Sequence, residues 1–133
     1  MSEKNSIKPL LASVLLEAKN LSHNFDYELF KNINLSLAKK ESIAIIGTSG
    51  SGKSTLLNIL SSLLKPTNGN VVFQSKDLYS LKQNELLKIR RDDFGIVFQA
   101  HYLFRGFSAL ENLNIATLLS HQDIDYKLLN DLN

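Results

Sequence analysis

Ser42-Ile43-Ala44-Ile45-Ile46, followed by Gly47-Thr48-Ser49-Gly50-Ser51-Gly52-Lys53-Ser54, decides how the rest of the chain is read. Residues 42–46 are a short, isoleucine-rich apolar run, suited to a strand buried on both faces. Residues 47–54 then fit the phosphate-loop pattern G-x-x-x-x-G-K-[ST] without a mismatch. Each residue type has a physical reason. Glycines let the backbone take positive φ and approach a ligand closely, so that successive N–H groups point into one anion-sized hollow. A helix starting near Lys53 adds its positive dipole end. Lys53 is placed to reach the β- and γ-phosphates, the Ser54 hydroxyl to ligate Mg²⁺, and Thr55 to donate to a further phosphate oxygen. At average glycine frequency and a similar lysine frequency, a random chain of this length matches the pattern roughly once in two hundred. The bland alternative, a Gly/Ser-rich turn without a ligand, leaves the flanking strand and helix patterns unexplained.

Downstream, the period changes. Leu56, Leu57, Ile59, Leu60, Leu63 and Leu64 follow helical spacing, which predicts a helix from Lys53 to Leu64 that Lys65-Pro66 stops. Its leucine face should pack on the sheet that includes residues 42–46. Asn68-Gly69 marks a turn and Val71-Val72-Phe73 a strand. Residues 81–91 read as a helix with Ser80 and Gln83 spaced as a capping box, and residues 94–98 as a second buried strand. Ser108 and Glu111 form a cleaner capping box for a helix reaching about Leu119, and residues 125–133 begin another helical pattern. Upstream, residues 14–21 suit a strand, and Ile33, Leu35 and Leu37 alternate with Asn34 and Ser36 as a half-buried strand should. Lys39-Lys40-Glu41 is a charged turn. Residues 1–13 read as a polar tail containing Pro9, and residues 14–133 as one domain or part of a larger one.

Composition closes off several classes of function. The chain has 133 residues, 44% hydrophobic, and 15 Lys+Arg against 13 Asp+Glu leave a net charge of +2, which does not suggest a nucleic-acid surface. With no cysteine, disulfides, thiolate metal sites and thiol catalysis are excluded. The longest apolar runs fall far short of the roughly 20 residues that span a bilayer, and the first lacks a cleavage site suited to a signal peptide. His23, His101 and His121 lack metal-ligand spacing and read as surface residues. Lys88, Arg90 and Arg91, offset by Asp92 and Asp93, read as a solvated helix end. On residues alone, Gln99 is an exposed loop amide or a ligand group at a strand end. Phe25, in the polar stretch His23-Asn24-Phe25-Asp26-Tyr27, either stacks on a base or joins the core.

The runs from Ser42 to Asn58, Pro66-Thr67-Asn68-Gly69 and Phe94-Gly95-Ile96-Val97-Phe98-Gln99 resemble the amino-terminal part of an ATP-binding-cassette (ABC) transporter ATPase. The resemblance runs from about Leu15 to the last residue. Within the family it resembles the lipoprotein-releasing and macrolide-export ATP-binding subunits, whose stretch after the Q-loop is similar to Ala100-His101-Tyr102-Leu103-Phe104 and Phe107-Ser108-Ala109-Leu110-Glu111-Asn112. The resemblance implies an α/β fold: a P-loop NTPase core beside a small antiparallel β portion, with the chain ending within the helical subdomain. It implies ATP and Mg²⁺ as cofactors, with Gly47, Thr48, Ser49, Gly50, Ser51, Gly52, Lys53, Ser54 and Thr55 around the phosphates. Phe25 takes the place of the aromatic that stacks on adenine, and Gln99 that of the Q-loop glutamine that contacts Mg²⁺ and the attacking water. Lys53 and Gln99 are then the catalytic residues of this part. Lys40 departs from the glycine usual before Glu41.

As partners the resemblance implies an integral-membrane permease subunit, docked through the segment after Gln99 with Leu103 and Phe104 as anchors, and a second ABC subunit. The location expected is the cytoplasmic face of the inner membrane. The bland alternative for Tyr102, Leu103, Phe104 and Phe107 is that they cover the adjacent helix. The 133 residues hold no L-S-G-G-Q signature, no apolar strand ending in Asp-Glu and no switch histidine in context. Two readings follow: an ATPase subunit that energises export or lipoprotein release, with this stretch alone inactive, or a nucleotide-binding or interaction module without turnover.

Overall fold

A computed structural model describes residues 14–100, 102–120 and 123–131. Two strands open it, β1 (Val14–Asn24) and β2 (Glu28–Ala38), followed by helix α1 (Lys53–Leu60). Strands β3 (Asn68–Phe73) and β4 (Lys76–Asp77) come next, then helices α2 (Gln83–Asp92), α3 (Ala109–Ser120) and α4 (Tyr126–Asp131). The four strands form one sheet in the order β2-β1-β3-β4, antiparallel at every pairing. The chain divides into two compact units, Met1–Leu86 and Leu87–Asn133.

In the first unit β1 is central, with a neighbour on each side. Leu16 and Ala18 point into the core, as period two requires. The alternation then breaks. Asn20 takes φ 50°, its N–H donates to Asn34 Oδ1 (2.9 Å), and the pairing register shifts between Ala18 and Leu21. Such a bulge re-aims the strand, and Leu21, Ser22 and His23 are buried in succession. On β2, Asn32 takes φ 54° and its N–H donates to Ser22 Oγ (3.0 Å). Both strands therefore run longer than the alternation suggests, to Asn24 rather than Leu21, and over Glu28–Ala38 rather than residues 33–37. Val71, Phe73 and Leu78 complete the buried set with Leu56, Ile59 and Leu60 of α1.

Helix α1 ends four residues before Leu64. Ser61 Oγ donates to Leu57 O (2.8 Å) and Ser62 turns to φ 65°, so the serines compete for the carbonyls that would propagate the helix. The Tyr79 hydroxyl lies within donating distance of both Ile59 O (2.5 Å) and Leu64 O (2.6 Å), which ties the helix end to the chain beyond β4. The cap of α2 also differs from expectation. Ser80 Oγ donates to Asp77 O (2.9 Å), and the Glu85 carboxylate instead accepts the Lys82 N–H (3.3 Å). The box sits two residues later than Ser80 and Gln83.

The main correction concerns the central strands. Residues 42–46 and 94–98 were expected as buried strands; neither is a strand. Ile46 is 88% exposed and Val97 96% exposed, while Ile45 and Ile96 are half-buried. A strand requires a hydrogen-bonded neighbour, and among the described residues neither run pairs with β1 to β4. The leucine face of α1 consequently does not rest on a sheet containing residues 42–46. Leu56 faces a cavity it shares with Phe30 and Ile33 of β2.

The second unit carries α3 and α4. The expected box is formed there: Glu111 Oε2 accepts from Ser108 N and Ser108 Oγ (both 2.7 Å), and Glu111 N donates to Ser108 Oγ (3.3 Å). These bonds from Ser108 hold the Glu111 carboxyl below its ordinary value. The solvated helix end is also seen, with Arg91 Nε donating to Asp92 Oδ1 at 2.7 Å and lowering the Asp92 carboxyl. The tail of residues 1–13, His101 and His121 lie outside the described residues.

Candidate functional site: the phosphate loop

The loop of residues 47–52 runs directly into α1. Gly50 has φ 79° and Gly52 φ 88°, both in the left-handed region that favours glycine. They serve different ends. Open space surrounds Gly50, whereas a Cβ on Gly52 would lie 2.9 Å from Leu29 Cγ and 3.1 Å from Phe30 Cδ1. Gly52 thus lets β2 close against the loop, whereas at Gly50 the requirement is conformational alone.

Gly52 is also the N-cap of α1, and no side chain caps the helix. The first N–H groups of a helix have no intrahelical partner, and the first turn of α1 carries no acidic residue. Positive partial charge is left at Lys53, Ser54 and Thr55, where an anion is favoured. Lys53 Nζ donates to Thr48 O (2.6 Å), so the ammonium folds back over the loop. Ser51 Oγ donates to the same carbonyl (2.9 Å), and Ser51 N completes the turn to Thr48 O (3.4 Å). A cavity of about 300 Å³ opens here, lined by Thr48, Ser51 and Lys53 on the polar side and by Phe30, Ile33 and Leu56 on the apolar side. This donor set fits a polyphosphate: backbone N–H groups, one ammonium and hydroxyls, with no carboxylate on the cavity wall.

The structure brings Gly47, Thr48, Ser49, Gly50, Ser51, Gly52, Lys53, Ser54 and Thr55 together as one turn into a helix. Phe25 belongs to the same unit, in the loop between β1 and β2, and is 57% exposed. Gln99 belongs to the second unit, exposed in a bend after residues 94–98. Sequence reasoning missed Leu29 and Phe30, whose packing on Gly52 sets the back wall. It also placed His23 on the surface, whereas His23 is buried at 6% exposure, because the β1 bulge turns it inward. Among the described residues no group of His, Cys, Asp and Glu could hold a metal ion, and no helix is long and apolar enough to cross a membrane.

After Gln99 the chain exposes Tyr102, Leu103, Phe104 and Phe107. Their backbone is nevertheless held. Asn112 Oδ1 accepts from Phe104 N (2.7 Å), and its amide donates to Ser108 O (3.0 Å) and Phe107 O (3.3 Å). Phe104 and Phe107 lie against each other with ring centroids 5.9 Å apart, and Tyr102 stands edge-on to Phe98 at 5.0 Å.

A phosphate loop opening a helix, backed by an antiparallel sheet, defines a class, and comparison with known proteins agrees. The chain belongs to the ABC transporter family, whose pattern matches residues 30–133. It is 39% identical over 127 residues to the lipoprotein-releasing system ATP-binding protein LolD of Wigglesworthia glossinidia brevipalpis, covering 87% of this chain and 56% of that protein. It is 41% identical over 95 residues to the macrolide export ATP-binding/permease protein MacB of Shewanella sp. (strain ANA-3), covering 71% of this chain and 14% of that one. Among solved structures, the dimeric post-hydrolysis state of the ATP-binding cassette MJ0796 bound to ADP and Pi matches with a TM-score of 0.73 at 36% identity, over 83% of this chain and 50% of that one. The chain spans about half the length of the curated relatives it matches. The α/β cassette fold expected from the sequence is thereby shown, although residues 42–46 and 94–98 are not paired as strands.

Proposed function

We propose that the chain binds Mg-ATP and is the nucleotide-binding part of an ABC transporter ATPase subunit. The observation that carries the proposal is the uncapped start of α1 beside Lys53, with Gly50 and Gly52 in left-handed conformations and no acidic residue in the first turn. Backbone N–H groups of residues 47–55 hold the phosphates, Lys53 supplies the ammonium, and Thr55 a further donor. Mg²⁺, when bound, neutralises phosphate charge and orients the terminal phosphoryl group; Ser54 and Gln99 are the groups that would hold it. Phe25 stacks on the base. Lys53→Ala removes a charge-assisted contact worth on the order of 1.5–3 kcal/mol. Calorimetry should then show Mg-ATP affinity falling at least about tenfold. Comparable affinities for the two proteins remove Lys53 from the site.

In the whole protein, hydrolysis at this site would energise lipoprotein release or the export of a hydrophobic compound by an integral-membrane permease, with a second ABC subunit. The family membership supports that reading, as does the fixed turn that leaves Leu103 and Phe104 outward as anchors for the permease. The subunit would then sit on the cytoplasmic face of the inner membrane. Leu103→Asp or Phe104→Asp should leave nucleotide binding intact and release the subunit from permease-containing membranes. Normal co-purification with the permease would dismiss the segment as the docking surface. The alternative reading, a nucleotide-binding or interaction module without turnover, draws support from the cavity wall, which carries donors and an ammonium but no carboxylate to act as a base.

A further inference from the structure

His23 is the buried polar side chain whose place the nucleotide reading does not explain. It is 6% exposed, and neither Nδ1 nor Nε2 has a hydrogen-bond partner. Leaving both nitrogens of a buried ring unpartnered is costly, and native structures seldom do it without a reason. An apolar side chain would fill the position at lower cost.

What His23 touches suggests the reason. Its ring stands nearly perpendicular to Phe25, at 87° with centroids 4.8 Å apart, and 6.2 Å from Phe30 at a tilt of 34°. Phe30 forms part of the wall of the phosphate-loop cavity and packs where Gly52 lacks a side chain. The three rings make a row from the exposed hairpin loop to the phosphate loop. The middle member is held on both sides of its backbone. His23 pairs with Phe30 across the ladder, Thr67 N donates to Ser22 O (3.0 Å), and Asn24 N donates to Thr67 Oγ1 (3.1 Å). Phe25, by contrast, sits in a short loop, the residue 57% exposed, and its only ring contact among the described residues is His23.

We propose that His23 is a positioning residue for nucleotide binding: its clamped ring fixes the orientation of Phe25 and, through Phe30, sets it in register with the phosphate loop. The inference rests on the reading of Phe25 as the base-stacking residue. Perpendicular aromatic pairs are favourable beyond their buried area. A ring oriented in advance has less freedom to lose when a base stacks on it.

The test compares Mg-ATP with inorganic triphosphate by calorimetry on the wild-type chain, Phe25→Ala, His23→Leu, His23→Phe and the double variant Phe25→Ala/His23→Leu, each with a thermal melt. Phe25→Ala should weaken ATP and spare triphosphate. His23→Leu should weaken ATP about three- to tenfold, spare triphosphate, and keep or raise the melting temperature, because it removes the unpartnered polar ring. His23→Phe, which keeps a ring, should stay within about twofold of wild type. The double variant should bind ATP no more weakly than Phe25→Ala, since the two residues act through one contact. Equal losses of both ligands in Phe25→Ala would overturn the stacking reading and this inference with it. An ATP-specific loss in Phe25→Ala, combined with no such loss in His23→Leu or an additive loss in the double variant, overturns the inference alone. So does a His23→Leu protein that melts lower and loses both ligands equally, which marks a structural role.

Discussion

Strand β1 and residues 42–46 are both apolar, yet they have opposite fates. Residues 42–46 are denser in isoleucine, while β1 includes Glu17, Lys19 and Asn20. Even so, β1 pairs on both sides and buries Leu21 completely, whereas Ile46 of the other run is 88% exposed. Composition shows what a segment can bury; a neighbouring edge decides whether it does. β1 finds β2 through a three-residue turn, closed where Phe25 N donates to Tyr27 O (3.0 Å), and pairs on its other side with β3, which follows only after α1, from Leu16 opposite Phe73 to Ser22 opposite Asn68. Residues 42–46 pair with no strand, near or far in sequence, among the described residues.

The sharpest way to break this contrast is to truncate one side chain in each region. Leu21→Ala leaves a void in a packed core and should cost about 2–5 kcal/mol. Ile46→Ala removes an exposed side chain and should change stability by no more than about 0.5 kcal/mol. Urea unfolding followed by circular dichroism reads both. An Ile46→Ala cost above about 1.5 kcal/mol would mean that residues 42–46 are buried in solution and that the contrast is mistaken.

A smaller effect sharpens the boundary between the two regions. Lys40 sits in the turn where β2 gives way to residues 42–46, at φ 67°. The turn is ordered, with Ala38 N donating to Glu41 Oε2 (2.8 Å) and Glu41 N to Ala38 O (3.3 Å). A side chain in the left-handed region costs about 1–2 kcal/mol, and glycine gives back part of that through its unfolded-state freedom. Lys40→Gly should therefore stabilise by about 0.5–1 kcal/mol, raising the urea midpoint without changing the slope. A fall in the midpoint would show that the turn does not hold this conformation.

What could be read from the sequence follows the same division. The loop conformation and the helix start at Lys53 were legible, because they depend on contiguous residues whose spacing is the geometry. The Ser108–Glu111 box was legible for the same reason. The lengths of β1 and β2 were not, since bulges at Asn20 and Asn32 break the two-residue period on which a strand is recognised. Burial of His23 follows from the first of those bulges and left no periodic trace. Phe30 and Leu29 against Gly52, and Tyr79 at the end of α1, depend on contacts between elements far apart in the chain. Asn112 stood in a recognisable stretch, but its bonds to Phe104, Phe107 and Ser108 arise only once the turn has closed.

The central claim is that residues 47–55 form the phosphate cradle of a proposed nucleotide site, beside a sheet, β1 to β4, that is paired without the ligand. Hydrogen–deuterium exchange with and without saturating Mg-ATP tests it most directly. Backbone N–H groups that take up phosphate oxygens lose their access to exchange, while a paired central strand gains little. The account predicts marked slowing across residues 48–56, with β1 and β3 nearly unchanged. No slowing in residues 48–56, or equal slowing in β1, would contradict it.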